Sequence, residues 1–226
     1  MTTTLSTRMR GLADGYAADS FSNRMRSRRF ERFEALTAGL ARPLRVIDVG
    51  GTAAFWKQRG WAGRDDVDVT LVNLVEEDTG HGNLTSVVGD ATNLANVADG
   101  QYDVAFSNSV IEHLFTYEAQ AAMGREMQRV AKAFWVQTPN FWFPMEPHFL
   151  VPGWQYLPQR ARVEIIRRRA CGWRGPCPDP DEARRTVAEV RLLRRRELRR
   201  LFPEATIIEE KLAGLTKSFV VLGGFA

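Results

Sequence analysis

The sequence predicts an α/β fold with helices on both faces of a mostly parallel sheet, and three observations carry that prediction. Short β-branched runs recur along the chain between helix-compatible segments. The first of them runs straight into a glycine turn, Gly50-Gly51-Thr52. The last two lie too close together for a helical crossover and should pair antiparallel. With 226 residues, 44% hydrophobic and 26% charged, the chain can bury one core, which excludes disordered, collagenous and low-complexity classes.

Taken in order, Asn23 to Leu40 carries Phe30, Phe33, Leu36 and Leu40 at helical spacing and ends at Arg42-Pro43. Strands are predicted over residues 44–49, 67–74, 86–88, 102–107 and 133–137, with a helix over 116–132. After Thr138-Pro139 the run Phe141-Trp142-Phe143-Pro144-Met145-Glu146-Pro147-His148-Phe149 is too rich in proline for regular structure and reads as a shaped loop. Residues 152–197 read as an insertion. A short helix around Leu198, Leu201 and Phe202 stops at Pro203, and strands over 205–210 and 218–222 close the chain around Gly214.

The start of the chain lacks the apolar centre of a secretory signal and no run approaches membrane-spanning length, so a cytoplasmic protein is expected. Cys171 and Cys177 have neither CxxC spacing nor the number a zinc site needs, and no disulfide is expected. The net charge of +4 is almost all arginine on its positive side, with an excess between Arg160 and Arg200. Those arginines alternate with apolar residues at helical spacing, as a solvated helix face does; the same charge would also attract anionic partners or a membrane surface. Three histidines dispersed along the chain, without HExxH or paired-carboxylate spacing, predict no metal site.

In an open α/β sheet a ligand sits beyond the carboxyl ends of the strands, which gathers four junctions: Asp48 to Ala54, Asn73, Gly89 to Ala91, and Ser107 to His113. The turn is not GxGxxG and the ribose position holds the neutral Asn73, which weakens a dinucleotide reading; GxxxxGK[ST] is absent. The residues Val46-Ile47-Asp48-Val49-Gly50-Gly51-Thr52, Gly89-Asp90-Ala91 and Tyr102-Asp103-Val104, with Ser107-Asn108-Ser109-Val110-Ile111-Glu112-His113-Leu114, together resemble the class I S-adenosylmethionine-dependent methyltransferases. The resemblance runs from about Asn23 to Gln137. It departs from the family's GxGxG turn at Thr52 and Ala54.

That resemblance implies a Rossmann-like, doubly wound, seven-stranded sheet, mostly parallel, with a C-terminal antiparallel hairpin. It divides a single domain into a helical cap or lid (1–42), a cofactor-binding core (43–138), a substrate-side loop and helical insertion (139–197), and a closing helix and hairpin (198–226). S-adenosylmethionine is the implied cofactor and S-adenosylhomocysteine its product. Asp48, Gly50, Gly51 and Thr52 would lie by the methionine part, Asn73 by the ribose with either a lower cofactor affinity or Glu76 as a compensating acid, Asp90 and Ala91 by the adenine, and Ser107 and Asn108 by the sulfonium through their backbone. Asp90 has an alternative role as a helix cap, and Asp103, at a strand start, is structural.

Methyl transfer needs alignment and sometimes a base. His113 and Glu112, or Glu146 and His148, are the candidates, histidine having the pKa for the task; packing roles remain open for both histidines. Phe141, Trp142, Phe143 and Trp154 would line an apolar acceptor pocket or, alternatively, plug a core beneath the insertion. Tyr16, Phe21, Arg24 and Arg28 could close over the cofactor as a lid. The base-methylating [DNS]PP[YF] motif is absent where Ser107-Asn108-Ser109-Val110 stands, which disfavours nucleic acid. A small apolar or aromatic acceptor, methylated on oxygen or nitrogen, is the expectation.

Overall fold

The computed structural model describes residues 21–225 and contains one seven-stranded sheet. Its elements are α1 (Phe21–Thr37), β1 (Leu44–Val49), α2 (Ala53–Gln58), β2 (Val67–Asn73), β3 (Leu84–Val88), β4 (Tyr102–Asn108), α3 (Tyr117–Arg129), β5 (Ala131–Pro139), α4 (Gln159–Arg168), α5 (Pro180–Ala188), α6 (Arg195–Leu201), β6 (Thr206–Leu212) and β7 (Leu215–Gly223). The sheet order is β3-β2-β1-β4-β5-β7-β6. The first five strands run parallel, and β7 pairs antiparallel with both β5 and β6. The predicted fold class is what the chain adopts.

Two cores follow from the period-2 alternation of the strands. Ile47, Val49, Ala105 and Val136 face Met123, Met127, Leu198 and Phe202 of α3, α6 and the residue after it. Val46, Val69, Leu71, Phe106 and Trp135 face Phe30, Phe33, Trp56 and Trp61 on the other side. Phe33 meets Phe106 and Trp135 edge-on, with centroids 4.9 and 5.7 Å apart, the arrangement aromatic quadrupoles favour. Strand order reverses between β1 and β4, which opens a crevice at their carboxyl ends.

Between β3 and β4 there is only a turn, with no crossover helix. Asp90 accordingly caps no helix; its Oδ1 accepts from the Thr92 amide and hydroxyl, both at 2.8 Å. The insertion builds a small core of its own from Phe149, Trp154, Ile166, Cys171, Ala183 and Val187. Among the described residues no helix is long and apolar enough to cross a membrane.

Candidate active site

The crevice begins at Asp48, the penultimate residue of β1. Parallel pairing on both sides buries it, and its Oδ2 accepts from Trp56 Nε1 at 2.7 Å while Oδ1 has no partner among the described residues. Burial pushes its carboxyl up to about 7; the Trp56 hydrogen bond opposes this and the nearby charge of Glu77 adds to it. Gly51 is obligatory above it, because a Cβ there would lie 1.7 Å from Asp48 Oδ2. Gly50 sits at φ +81° under Val110, whose γ-methyls would be 2.6 Å from a Cβ. Thr52 caps α2 by position, without a side-chain bond.

Asn73 ends β2, where its Nδ2 donates to Gly51 O at 3.2 Å and its Oδ1 accepts from the Leu74 amide at 3.0 Å. Glu76 is exposed, while Glu77 reaches back and accepts from the Ala53 amide at 2.6 Å. Glu77 escaped the sequence reading because nothing local ties it to a residue 24 positions earlier. Asp90 and Ala91 follow β3 at the same edge. Both Thr92 bonds fall on Asp90 Oδ1 and hold its carboxyl below the usual range.

Ser107 is buried and donates to Val49 O at 2.9 Å, so its side chain ties β4 to β1. Asn108 Oδ1 accepts from Arg29 Nη1 at 2.7 Å, and the rest of that guanidinium grips Glu210 through Nε at 2.9 Å and Nη2 at 2.7 Å. Arg29 therefore pins α1 across β4 and β6. Of the residues predicted to form the lid, Arg24 and Arg28 lie on the exposed face of α1, while Met25, Arg26 and Arg29 face the cavity. Tyr16 and the Phe21 side chain lie outside the described residues.

Beyond β4 and β5 the three predicted catalytic residues meet. Ile111–His113 is a 3-10 turn, placing Glu112 inward and fully buried; Thr138 Oγ1 donates to its Oε2 at 3.0 Å, while Oε1 has no partner among the described residues. Burial pushes Glu112 up to about 7, against the opposing charge of His148. Glu146 is 1% exposed; its Oε2 accepts from the amides of His148 (2.8 Å) and Phe149 (2.6 Å), and its Oε1 lies 2.5 Å from His148 Nδ1. Burial pulls the His148 pKa down, but Glu146 and Glu112 outweigh it and raise it. Glu146 thus holds the His148 ring from its Nδ1 side.

The ring of His113, exposed on its outer side, stands edge-on to that of His148 with centroids 4.7 Å apart. Desolvation and the charge of His148 lower its pKa, against a hydrogen bond to the Glu189 backbone. Ligating atoms of Glu112, His113 and His148 all lie within 4.8 Å of one another. The sequence spacing that predicted no metal site says nothing of this meeting, which the fold creates.

A cavity of about 460 Å³ adjoins the cluster, with Glu112 and His148 in its wall beside Phe143, Met145, Leu150 and Trp173. Of the four predicted acceptor residues only Phe143 lines it. Trp154 is 1% exposed and stacks on Phe149 in the insertion core, with centroids 4.3 Å apart. Phe141 and Trp142 pack under Arg194, 4.4 and 5.3 Å from its guanidinium carbon. Phe141 and Trp154 border a separate cavity of about 240 Å³. Composition marked these aromatics as apolar, but it carries no information on which side of the loop each one falls.

Residues 48–133, from within β1 to the start of β5, match a family model described as a methyltransferase domain. Among solved structures the chain is similar to the CurJ carbon methyltransferase (11% identity, TM-score 0.56, 97% of this chain and 57% of that one). It is similar also to the N-terminal domain of EvdMO1, solved with S-adenosylhomocysteine and D-fucose (14%, 0.52, 87% and 81%). A third is a Rhodobacter sphaeroides protein named as a zinc-dependent alcohol dehydrogenase (13%, 0.54, 84% and 86%). At these identities the likeness shows the fold alone. No match is found among the curated proteins.

Proposed function

We propose that this chain is an S-adenosylmethionine-dependent methyltransferase, a reading supported by the match of residues 48–133 to a methyltransferase-domain model, and that it methylates an oxygen or nitrogen of a small, apolar or aromatic acceptor. The observation that carries the reading is the 460 Å³ cavity, part apolar and part polar, that adjoins the Glu112–His148 cluster at the carboxyl ends of β4 and β5.

The crevice over β1 to β3 fits the cofactor. Asp48 Oδ1 is a buried acceptor without a partner among the described residues, suited to an ammonium group, and Asp90 Oδ2, which takes no part in the Thr92 bonds, suits an exocyclic amino group. Asn73 has the chemistry to meet a ribose hydroxyl, without the charge a carboxylate would bring. When bound, S-adenosylmethionine supplies a methyl on a sulfonium, already activated for displacement. The protein's part is therefore to align the acceptor and remove its proton. Phe143, Met145, Leu150 and Trp173 hold the acceptor's apolar body and exclude water. His148, oriented through Nδ1 by Glu146, presents its other nitrogen to take the proton.

The test is methyl transfer from tritium-labelled S-adenosylmethionine to a pool of phenols, aromatic amines and aliphatic alcohols. Labelled products confined to aromatic or apolar acceptors, with Phe143→Ala raising KM at least tenfold, support the reading. Label transferred to RNA or protein, and to none of the small molecules, would overturn it.

A further inference from the structure

We propose that Glu112, His113 and His148 form a divalent-metal site in the wall of the acceptor cavity, suited to borderline ions such as Zn2+ or Co2+. Their ligating atoms already lie within 4.8 Å of one another. Zinc bonds of about 2.0–2.1 Å at tetrahedral angles place ligands about 3.3 Å apart, so side-chain rotation closes the set without moving a strand. Two strand ends supply it: Glu112 and His113 from the turn after β4, His148 from the loop after β5.

Each ligand is prepared. Glu112 is fully buried with one oxygen fixed by Thr138 and the other, Oε1, without any partner among the described residues. A buried carboxylate oxygen left unpaired is costly, and a cation would remove that cost. His148 lies with Nδ1 against Glu146, which leaves Nε2 to present a lone pair, and Glu146 is itself fixed by two backbone amides. This is the carboxylate–imidazole support that orients metal-bound histidines. A backbone carbonyl, that of Glu189, holds the ring of His113 in the same manner.

Two imidazoles and one carboxylate suit zinc, cobalt or iron; magnesium and calcium prefer all-oxygen sets. Three protein ligands leave a coordination position open, as catalytic sites do. Glu112 and His148 both line the cavity, so an acceptor hydroxyl can take that position. A bound ion would lower the pKa of that hydroxyl, whose proton would leave to water; the oxygen lone pair would then attack the methyl carbon as the carbon–sulfur bond breaks, its electrons going to the sulfur of the departing S-adenosylhomocysteine. In the loaded protein His148 is a ligand and the ion replaces it as the deprotonating group. The ion site itself stands on these residues whatever the methyl donor proves to be.

The experiment is titration of the untagged, chelator-stripped chain with Co2+ and then Zn2+, followed by visible absorption and calorimetry. One ion per chain is expected, with d–d bands of a nitrogen/oxygen site and displacement of Co2+ by Zn2+. Glu112→Gln and His148→Ala should each weaken affinity at least 100-fold, Glu146→Gln about 10–100-fold, and His81→Gln not at all. If a buried variant loses its circular-dichroism spectrum, His113→Gln, on the exposed side, takes its place. Affinity unchanged in these variants, no binding below millimolar Co2+, or a thiolate charge-transfer band from Cys171 or Cys177 would overturn the proposal.

Discussion

The two halves of the sheet's carboxyl edge are assembled differently. Over β1 to β3, polar side chains find partners within the same three strands and their turns: Asp48 with Trp56, Asp90 with Thr92, Asn73 with Leu74 and Gly51, and Glu77 with Ala53. Over β4 and β5 the partners come from far along the chain: Glu112 with Thr138, His113 with His148, Asn108 with Arg29, and Arg29 with Glu210, a separation of 181 residues. A half built from local contacts keeps its shape from the strand–turn units alone. The half built from distant ones depends on the insertion and α1 arriving in place, and it can be changed without disturbing the first.

The strongest test of that separation is Trp154→Ala. Removing a fully buried indole stacked on Phe149 should cost about 3–5 kcal/mol within the insertion. Hydrogen exchange should quicken in α4 and α5 and stay unchanged in β1 to β3. Equal loss of protection across the sheet would mean the halves are not separable.

Asp48→Asn should have an intermediate effect. Burial raises this carboxyl from 3.8 to about 7, so the unfolded chain releases its proton first and wild-type stability falls as pH rises from about 4 to 7. Asparagine keeps an acceptor for Trp56 without the charge. At pH 8 urea unfolding should show the variant more stable by on the order of 2 kcal/mol, and at pH 4 no more stable than wild type. A variant less stable at pH 8 would contradict the burial argument.

The smallest effect belongs to the opposite, amino edge, where Asp103 bridges Arg45 and Lys132 at 3.2 and 2.9 Å. Burial opposes the charge, but the two cations and the Arg45 amide prevail and hold the carboxyl at about 2. Its contribution is therefore present above pH 4 and lost as pH falls towards 2. Asp103→Asn should flatten that acid limb, by less than about 1 kcal/mol since the pair is solvent-screened.

The same contrast explains what could be read from the residues. The strands were legible because β-branched runs end at turn residues, and Gly50, Gly51, Asn73 and Asp90 could be placed because each sits at the end of its own strand. Glu112, His113, Glu146 and His148 were each identifiable as polar residues in a promising loop. Their meeting was not, since it depends on the loop after β5 folding back onto the turn after β4. Arg29 was missed because the register of α1 about its own axis is set by packing of Phe30 and Phe33, and the cavity-facing residues lie one position away from those the sequence suggested. The choice left open for Trp154, pocket wall or core plug, falls to the core; an aromatic cluster looks alike in sequence either way.

The central claim is that the β1 to β3 half holds a sulfonium nucleoside, and calorimetric titration of the purified chain with S-adenosylmethionine, S-adenosylhomocysteine and NAD tests it most directly. Micromolar binding of the first two, lost in Asp90→Ala and absent for NAD, is the predicted result. Binding of NAD alone, or of none of the three, would contradict it.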